Sequence, residues 1–308
     1  MDPRIKGKLY WTGSSSEGTK MWLPDEFDFV MELVELKDCC YIEHSLRCFQ
    51  ELKLHQNCQK LWSNLCKKDC VLSPRRLKSY ISALLWKAAF DLKKQNYPNI
   101  KFNLCEYDVD DFCFLNYTKV GVNIRVVWNG ETYKNLTVSI DVTPAIPVVI
   151  SDRQMLDLNS YAAKELADRS IHVVPYLKPG ENSAWRVSFT LIEVQILKNM
   201  TKKQLAIYKC LKFLRDLHGN VLAPVPSYHL KTFLLTHLFQ DQDEQYLSSM
   251  EKENFYTSAS RVIRLLQYTA EGSWDEKMVF HFFLRFPLCL RDYDMRWCRT
   301  ILKHLEST

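Results

Sequence analysis

Residues Thr12–Phe29 read TGSSSEGTKMWLPDEFDF. The stretch opens on a small polar turn at Gly13-Ser14 and closes on Glu26-Phe27-Asp28-Phe29, where acidic and apolar residues alternate. On an extended strand that alternation puts both carboxylates on one face and both phenylalanines on the other. Carboxylates held so close repel one another unless a cation lies between them, and Mg²⁺ or Mn²⁺ suits an all-oxygen donor set. The Gly-Ser turn offers backbone N–H groups and a hydroxyl, which suit a phosphate. A phosphate-binding turn a short loop away from a metal-binding strand is the minimum equipment for nucleotidyl transfer. An amphipathic edge strand with a solvated acidic face would read the same over these residues alone, so the rest of the chain must separate the two.

The length of 308 residues allows one large or two modest domains, and the scarcity of glycine, 8 in all, favours long helices over a Gly-loop-rich fold. A net charge of +5 is compatible with polyanionic ligands without indicating them. No run approaches the ~20 apolar residues of a membrane helix, and the opening MDPRIKGKLYW lacks the apolar core of a signal peptide. Eleven cysteines, an odd number without framework spacing, then point to reduced thiols in a cytoplasmic or nuclear protein. In that setting the sequons at Asn135 and Asn199 are chance matches.

Along the chain, Val30–Leu36 continues as a strand-like run, and from Ile42 to about Asp69 the apolar spacing predicts a helix with Leu46, Phe49, Leu52, Leu61 and Leu65 inward. Ser73-Pro74 predicts a capped helix start, with a buried stripe of Leu77, Tyr80, Ile81, Leu84, Leu85, Ala88 and Leu92 running to about Gln95. Val120–Val127 and Leu136–Val142 read as a hairpin about Asn129-Gly130, which puts Asp141 on a strand that can lie beside Glu26 and Asp28 as a third carboxylate. Trp185–Phe189 alternates once more. From Leu191 on, helices are predicted at Gln204–His218 (closed by Gly219), Tyr228–Phe239, Asn254–Thr269, Glu276–Arg285 and Asp292–Leu305. The expected class is α+β, with a mixed catalytic lobe over residues 1–190, a helical lobe over 191–308 and a cleft between them.

Several of these pieces occur in an order that resembles a known family. They are Gly13-Ser14 with Glu26-x-Asp28, Ile140-Asp141-Val142, Trp185-Arg186-Val187-Ser188-Phe189, Glu193 with Ile196-Leu197, Cys210-Leu211-Lys212 and Ser227-Tyr228-His229-Leu230-Lys231-Thr232. Together they resemble the Mab-21 family and, within it, the cyclic GMP-AMP synthase-like receptors. The resemblance implies a bilobal nucleotidyltransferase that makes a cyclic dinucleotide from ATP and/or GTP in innate immune signalling. It implies that Glu26, Asp28 and Asp141 hold two Mg²⁺ or Mn²⁺ ions, that Thr12, Gly13 and Ser14 serve the acceptor and the triphosphate, and that Arg186, Ser188, Thr190 and Glu193 line the acceptor base pocket. Tyr228 would stack on a base, Ser227 and Lys231 would contact the donor, and Lys212 or Arg215 would add a phosphate contact.

Two departures shape the expected ligand. The long N-terminal helix usual in the family would precede the Gly-Ser turn, yet only residues up to about Tyr10 do, which reads as a fragment, a shortened isoform or a divergent member. The His-and-Cys zinc insertion of the vertebrate DNA sensor is lacking after Ile196-Leu197, so no zinc is expected and double-stranded RNA is favoured over DNA. The spacing of His55, Cys58, Cys66 and Cys70 is only loosely ligand-like and lies in a Leu-rich pattern that suits core cysteines. Basic clusters that include Arg75, Arg76, Lys209 and Lys212 are the expected duplex contacts, gripping phosphates rather than bases, and ligand binding could bring an oligomer with it. The competing reading is a non-catalytic Mab-21-like scaffold, against which the three carboxylates argue.

Overall fold

The computed structural model describes residues 4–46, 49–102, 116–117, 120–148, 171–177, 184–218, 227–239, 257–260, 262–264, 278–280 and 287–289. The chain divides into two compact units, Met1–Ile150 with Arg169–Gln195, and Ser151–Asp168 with Ile196–Thr308. The content is α+β, built on one large mixed sheet.

The sheet lies in the first unit. Its strands are β1 (Lys8–Thr12), β2 (Glu26–Glu32), β3 (Cys40–Leu46), β4 (Phe49–Leu54), β5 (Ile100–Phe102), β6 (Asn116–Tyr117), β7 (Val122–Trp128), β8 (Leu136–Val148), β9 (Ile171–Tyr176) and β10 (Ala184–Ser188). The spatial order is β1-β2-β8-β9-β10-β4-β3, with β7 beside β8 and carrying β5 and β6. β8 organises the whole. It runs parallel to β2 over Ser139–Ala145, antiparallel to β7 over Leu136–Val142, and antiparallel to β9 over Ile146–Val148. Pro144 falls between the end of the β7 ladder and the start of the β9 ladder, where β8 has one neighbour among the described residues and a missing N–H costs least.

Helix α1 (Gly13–Ser16) is a single turn, followed later by α2 (Gln56–Trp62) and α3 (Pro74–Lys94). The Ser73 cap is present: its side chain accepts from the Arg76 N–H at 3.3 Å, with Pro74 in the first turn. Leu77 and Ile81 are fully buried, and Trp185 sends its indole N–H to the Leu72 carbonyl just ahead of the helix at 2.9 Å. Trp185 therefore faces the α3 side of the sheet. Arg186 and Ser188, on the other side of the pleat, face away from it. On that opposite face Val30, Ala145 and Val174 form a small core with Tyr10, Val120 and Leu191. Ser73→Ala is expected to destabilise the first unit by about 1 kcal/mol, the usual worth of an N-cap, and urea unfolding would show it as a lower midpoint at unchanged slope.

Three sequence expectations are corrected. The helix predicted from Ile42 to Asp69 is replaced over its first half by the β3–β4 hairpin, with α2 and short 3₁₀ turns after it. Gln50, Leu52 and Leu54 are buried in alternation, so the period is two, and β4 gains partners on both sides in β3 and β10. Leu61, expected inward, is 51% exposed, and its neighbour Trp62 fills the core. The β7–β8 hairpin forms as expected, but residues 129–135 join it and the positive φ falls on Asn135, not on the Asn129-Gly130 pair. Gly130 lies against the Trp128 indole, where a Cβ would meet Nε1 at 2.5 Å. Finally, the predicted helix Glu276–Arg285 contains strand β11 (Met278–Phe280), paired with β12 (Pro287–Cys289). The β-branched and aromatic Val279 and Phe280 suit a ladder better than a helix.

α4 (Thr190–Lys198) spans the division of the chain, mostly in the first unit, and the second unit carries its end, then α5 (Lys202–His218) and α6 (Ser227–Phe239). Residues 257–260 and 262–264, inside the predicted Asn254–Thr269, are helical. Gly219 and the predicted helix Asp292–Leu305 lie outside the described residues. No helix among the described residues is long and apolar enough to cross a membrane.

Candidate active site

Register alone brings the acidic residues together. In the parallel β2–β8 ladder Asp28 pairs with Asp141 and Glu26 with Ser139, so Glu26, Asp28 and Asp141 rise on one face. One carboxylate oxygen from each lies within 4.8 Å of the others, the span expected of carboxylates that share cations. Asn123, directly across from Asp141 on β7, donates its amide to Asp141 Oδ1 at 2.9 Å and also to Ser139 Oγ. Thr12 pairs with Asp28 from the other side, and its hydroxyl donates to the Asp28 carbonyl at 3.2 Å.

The charge has little compensation from the protein. Burial first, then the charges of Glu26, Asp141 and Glu17, push the Asp28 carboxyl from 3.8 up to about 7, and only Lys20 works the other way. Asp141 is also raised, by burial first; the bond from Asn123 and the charge of Arg125 offset part of that, and Glu26 adds to it. Lys20 sits at the rim, 2.8 Å from Asp25 and 3.3 Å from Glu26. Three convergent carboxylates, with Asp28 pushed up by burial and by its acidic neighbours, are a donor set that fits hard divalent cations.

The Gly-Ser turn is locked against this cluster. Gly13 has φ +70°, and a Cβ there would stand 1.8 Å from Asp28 Oδ2 and 2.8 Å from Asp28 Cβ. Of the following serines, Ser15 donates to the Glu26 carbonyl at 2.9 Å and Ser16 to the Trp11 carbonyl at 2.8 Å. The Ser14 carbonyl accepts the Thr19 and Lys20 N–H groups, which closes the loop, while its hydroxyl makes no hydrogen bond among the described residues.

Following the register from Asp141 through Pro147 to His172 and on to Ser188 shows that Ser188 shares the carboxylate face. Arg186, opposite Val174, shares it too. The Arg186 guanidinium lies over the Tyr176 ring, 5.3 Å from its centre. Ser188 and Thr190 hydroxyls are 3.0 Å apart, and Glu193 is buried in the first turn of α4.

Within the second unit, Lys212 is 7% exposed, with its ammonium 5.7 Å from the Tyr208 ring centre. The Tyr208 hydroxyl donates to the Ser227 carbonyl at 3.2 Å, and Arg215 bonds both Asp216 and the Ser227 hydroxyl. Tyr228 is 40% exposed and Lys231 is half-buried on the next turn of α6. The structure thus gathers Lys212, Arg215 and Ser227, and Tyr228 is exposed. Among the proposed duplex contacts, Arg75 is exposed, Arg76 bonds the Cys66 carbonyl, Lys209 is half-buried, and the burial of Lys212 removes it from the outer surface.

Asn123, Lys20 and Glu17 were not singled out by the sequence. Asn123 could have been: an asparagine inside the β-branched run Val122–Trp128 needs a polar reason to be buried there. Lys20 and Glu17 gave no signal, because nothing in a loop sequence says which way its charges turn. Among the described residues the acidic trio is the one compact group of potential metal ligands; His55, Cys58, Cys66 and Cys70 do not form another. The family model for the Mab-21 protein nucleotidyltransferase domain matches residues 15–199, more than half of the chain.

Proposed function

Because the chain belongs to the Mab-21 family and carries its nucleotidyltransferase domain, we propose that it makes a cyclic dinucleotide from ATP and/or GTP. The observation that carries this reading is the meeting of Glu26, Asp28 and Asp141 on one sheet face, with the Gly-Ser turn packed against Asp28. These three carboxylates would hold two divalent cations, which when bound supply charge for the triphosphate and lower the pKa of the attacking ribose hydroxyl.

The chain's own groups do the rest. Ser14 offers its hydroxyl to the triphosphate, and Thr12 keeps β1 against the Asp28 backbone, so that turn and carboxylate hold one geometry. Asp141, oriented by Asn123, is placed to accept the proton of the ribose hydroxyl. Arg186, Ser188 and Thr190 present a cation and two hydroxyls to an acceptor base, with the buried Glu193 in the helical turn that follows. Within the second unit, an exposed Tyr228 with Lys231 one turn away on α6 offers an aromatic plate and a charge to a nucleotide, and Lys212, Arg215 and Ser227 are a set of phosphate donors. A second transfer on the linear product closes the ring.

The test is to incubate the pure chain with labelled ATP and GTP, Mg²⁺ or Mn²⁺, and duplex RNA or duplex DNA. A cyclic product formed with RNA and not with DNA supports the whole reading. Nucleotides left unchanged under every condition overturn it in favour of the scaffold.

A duplex activator would be held by its phosphates. Its affinity is then expected to fall by orders of magnitude between ~50 and ~200 mM salt. Arg75→Glu is the clean probe, since Arg75 is exposed while Arg76 also bonds the Cys66 carbonyl. It should weaken RNA and DNA duplexes alike and lower the salt slope by about one. Fluorescence anisotropy over a salt series measures both. Binding indifferent to salt and to Arg75→Glu would move the ligand elsewhere.

A further inference from the structure

Strand β8 joins two parts of the sheet. It pairs with β2 as far as Ala145, with β7 as far as Val142, and with β9 over Ile146–Val148. Glu26, Asp28 and Asp141 therefore belong to the β2–β8 part, while Arg186 and Ser188 belong to the β9–β10 part. The ladder between the parts is short among the described residues, and its middle position is Pro147, opposite His172, which has no N–H to give. The side chain of His172 crosses the same joint. Its Nε2 lies 2.9 Å from Glu32 Oε1 on β2, two strands away, and the two side chains are only 7% and 13% exposed. The other oxygen, Glu32 Oε2, accepts the Tyr10 hydroxyl at 3.0 Å. A carboxylate withdrawn this far from water needs its oxygens bonded, and both are. The Tyr10 side chain packs in turn on the small core of Val30, Ala145 and Val174. Glu32 shares the face of Asp28 on β2, and His172 stands directly opposite Ser188 in the β9–β10 ladder, so the pair lies on the face that carries the site.

We propose that His172 is a positioning residue. Bonded to Glu32, and through it to Tyr10, it fixes the β9–β10 part against the β2–β8 part and sets how far Arg186 and Ser188 stand from the metal carboxylates. The role rests on the nucleotidyl transfer proposed above, in which one part holds the cations of the triphosphate and the other the acceptor base. Apolar contact among Val30, Ala145 and Val174 presses the parts together without direction, whereas a buried hydrogen bond between side chains of both parts favours one alignment. His172 touches no substrate; it acts through its strand partner Ser188. A shift on the order of 1 Å at a positioned group costs roughly a hundredfold in rate. Loss of the bond is therefore expected in turnover and not in Mn²⁺ binding, because Glu26, Asp28 and Asp141 all lie on one side of the joint.

The test compares His172→Leu, His172→Gln and Tyr10→Phe in the full chain. Leucine cannot bond Glu32, glutamine carries an amide nitrogen that can, and phenylalanine keeps the ring without the hydroxyl. Amide hydrogen exchange needs no substrate. In His172→Leu the amides of β9 and β10 are expected to exchange faster while those of β2 keep the rate of the parent. Turnover in the same variant should fall roughly a hundredfold, with Mn²⁺ affinity by titration calorimetry unchanged. His172→Gln should recover most of that loss, and Tyr10→Phe should follow His172→Leu in exchange and turnover by a smaller amount. A residue that served the fold alone would lose melting temperature, Mn²⁺ affinity and turnover together. Parent-like exchange of β9 and β10 in both His172→Leu and Tyr10→Phe overturns the proposal. So does parent-like turnover in His172→Leu, or a His172→Gln as slow as His172→Leu. Where His172→Leu does not fold, parent-like exchange and turnover in Tyr10→Phe overturn it. A parent that leaves nucleotides unchanged under every condition overturns the proposed function and the positioning role with it, and exchange then still decides whether the bond holds the two parts together.

Discussion

Asp28→Asn abolishes nucleotidyl transfer and leaves the fold intact. Asparagine fits the same space, and the Asp28 backbone keeps both its β1 and β8 ladders. What is lost is the central charge of the three, the one a divalent ion needs from that position. A fall of about a thousandfold or more is expected, the scale seen when one preorganised electrostatic contributor to a transition state is removed. The same substitution should not weaken the metal-free protein. An acid whose folded pKa of about 7 lies above its ordinary 3.8 binds its proton more tightly in the folded state. Its contribution to stability is therefore present at low pH and lost as the pH rises from about 4 through about 7. At pH 8 without divalent ions the asparagine variant is expected to melt no lower than the parent, and adding Mn²⁺ should raise the melting temperature of the parent alone. Activity close to that of the parent would end the two-metal reading.

The site was legible to the extent that it rests on periodicity. Acid-apolar alternation at Glu26–Phe29 and again about Asp141 is a statement about strand faces, and the ladder that pairs Asp28 with Asp141 turns two such statements into one cluster. The same logic put Arg186 and Ser188 on one strand face, as the ladder with β9 has them. It failed where a local pattern was shared by two structures. Leu46, Phe49, Leu52 and Leu65 satisfy a helical spacing, yet Gln50, Leu52 and Leu54 satisfy a strand, and the outcome depended on β10 being there to pair with β4. No local window contains that fact. The Asn129-Gly130 signal failed differently: the hairpin is real, but the bulk of Trp128 takes the space beside Gly130, and the tight turn gives way to a longer one. Asn123 and Lys20 belong to the cluster through contacts made only once the sheet is assembled.

Gly13→Ala is expected to reduce activity nearly as far, through geometry and not charge. Two effects act at Gly13. Its φ of +70° strains any residue with a Cβ, at a cost of about 1–2 kcal/mol. Its Cβ would also overlap Asp28, at 1.8 Å from Oδ2 and 2.8 Å from Cβ. Because the Asp28 Cβ is part of the clash, turning the carboxylate aside is not enough; the turn and β2 must separate. A displacement on the order of 1 Å at a positioned group costs roughly a hundredfold in rate. Gly18 separates the two effects. It has φ +69° and nothing within 4 Å of where a Cβ would go, so Gly18→Ala carries the same backbone strain without the overlap. Gly18→Ala is expected to lose the melting temperature that backbone strain costs and Gly13→Ala more than that, while only Gly13→Ala loses turnover and, by titration calorimetry, Mn²⁺ affinity. If Gly18→Ala loses as much turnover as Gly13→Ala, loop strain and not the packing of the Gly-Ser turn on Asp28 governs the site. If Gly13→Ala keeps full activity, that packing has no part in the chemistry.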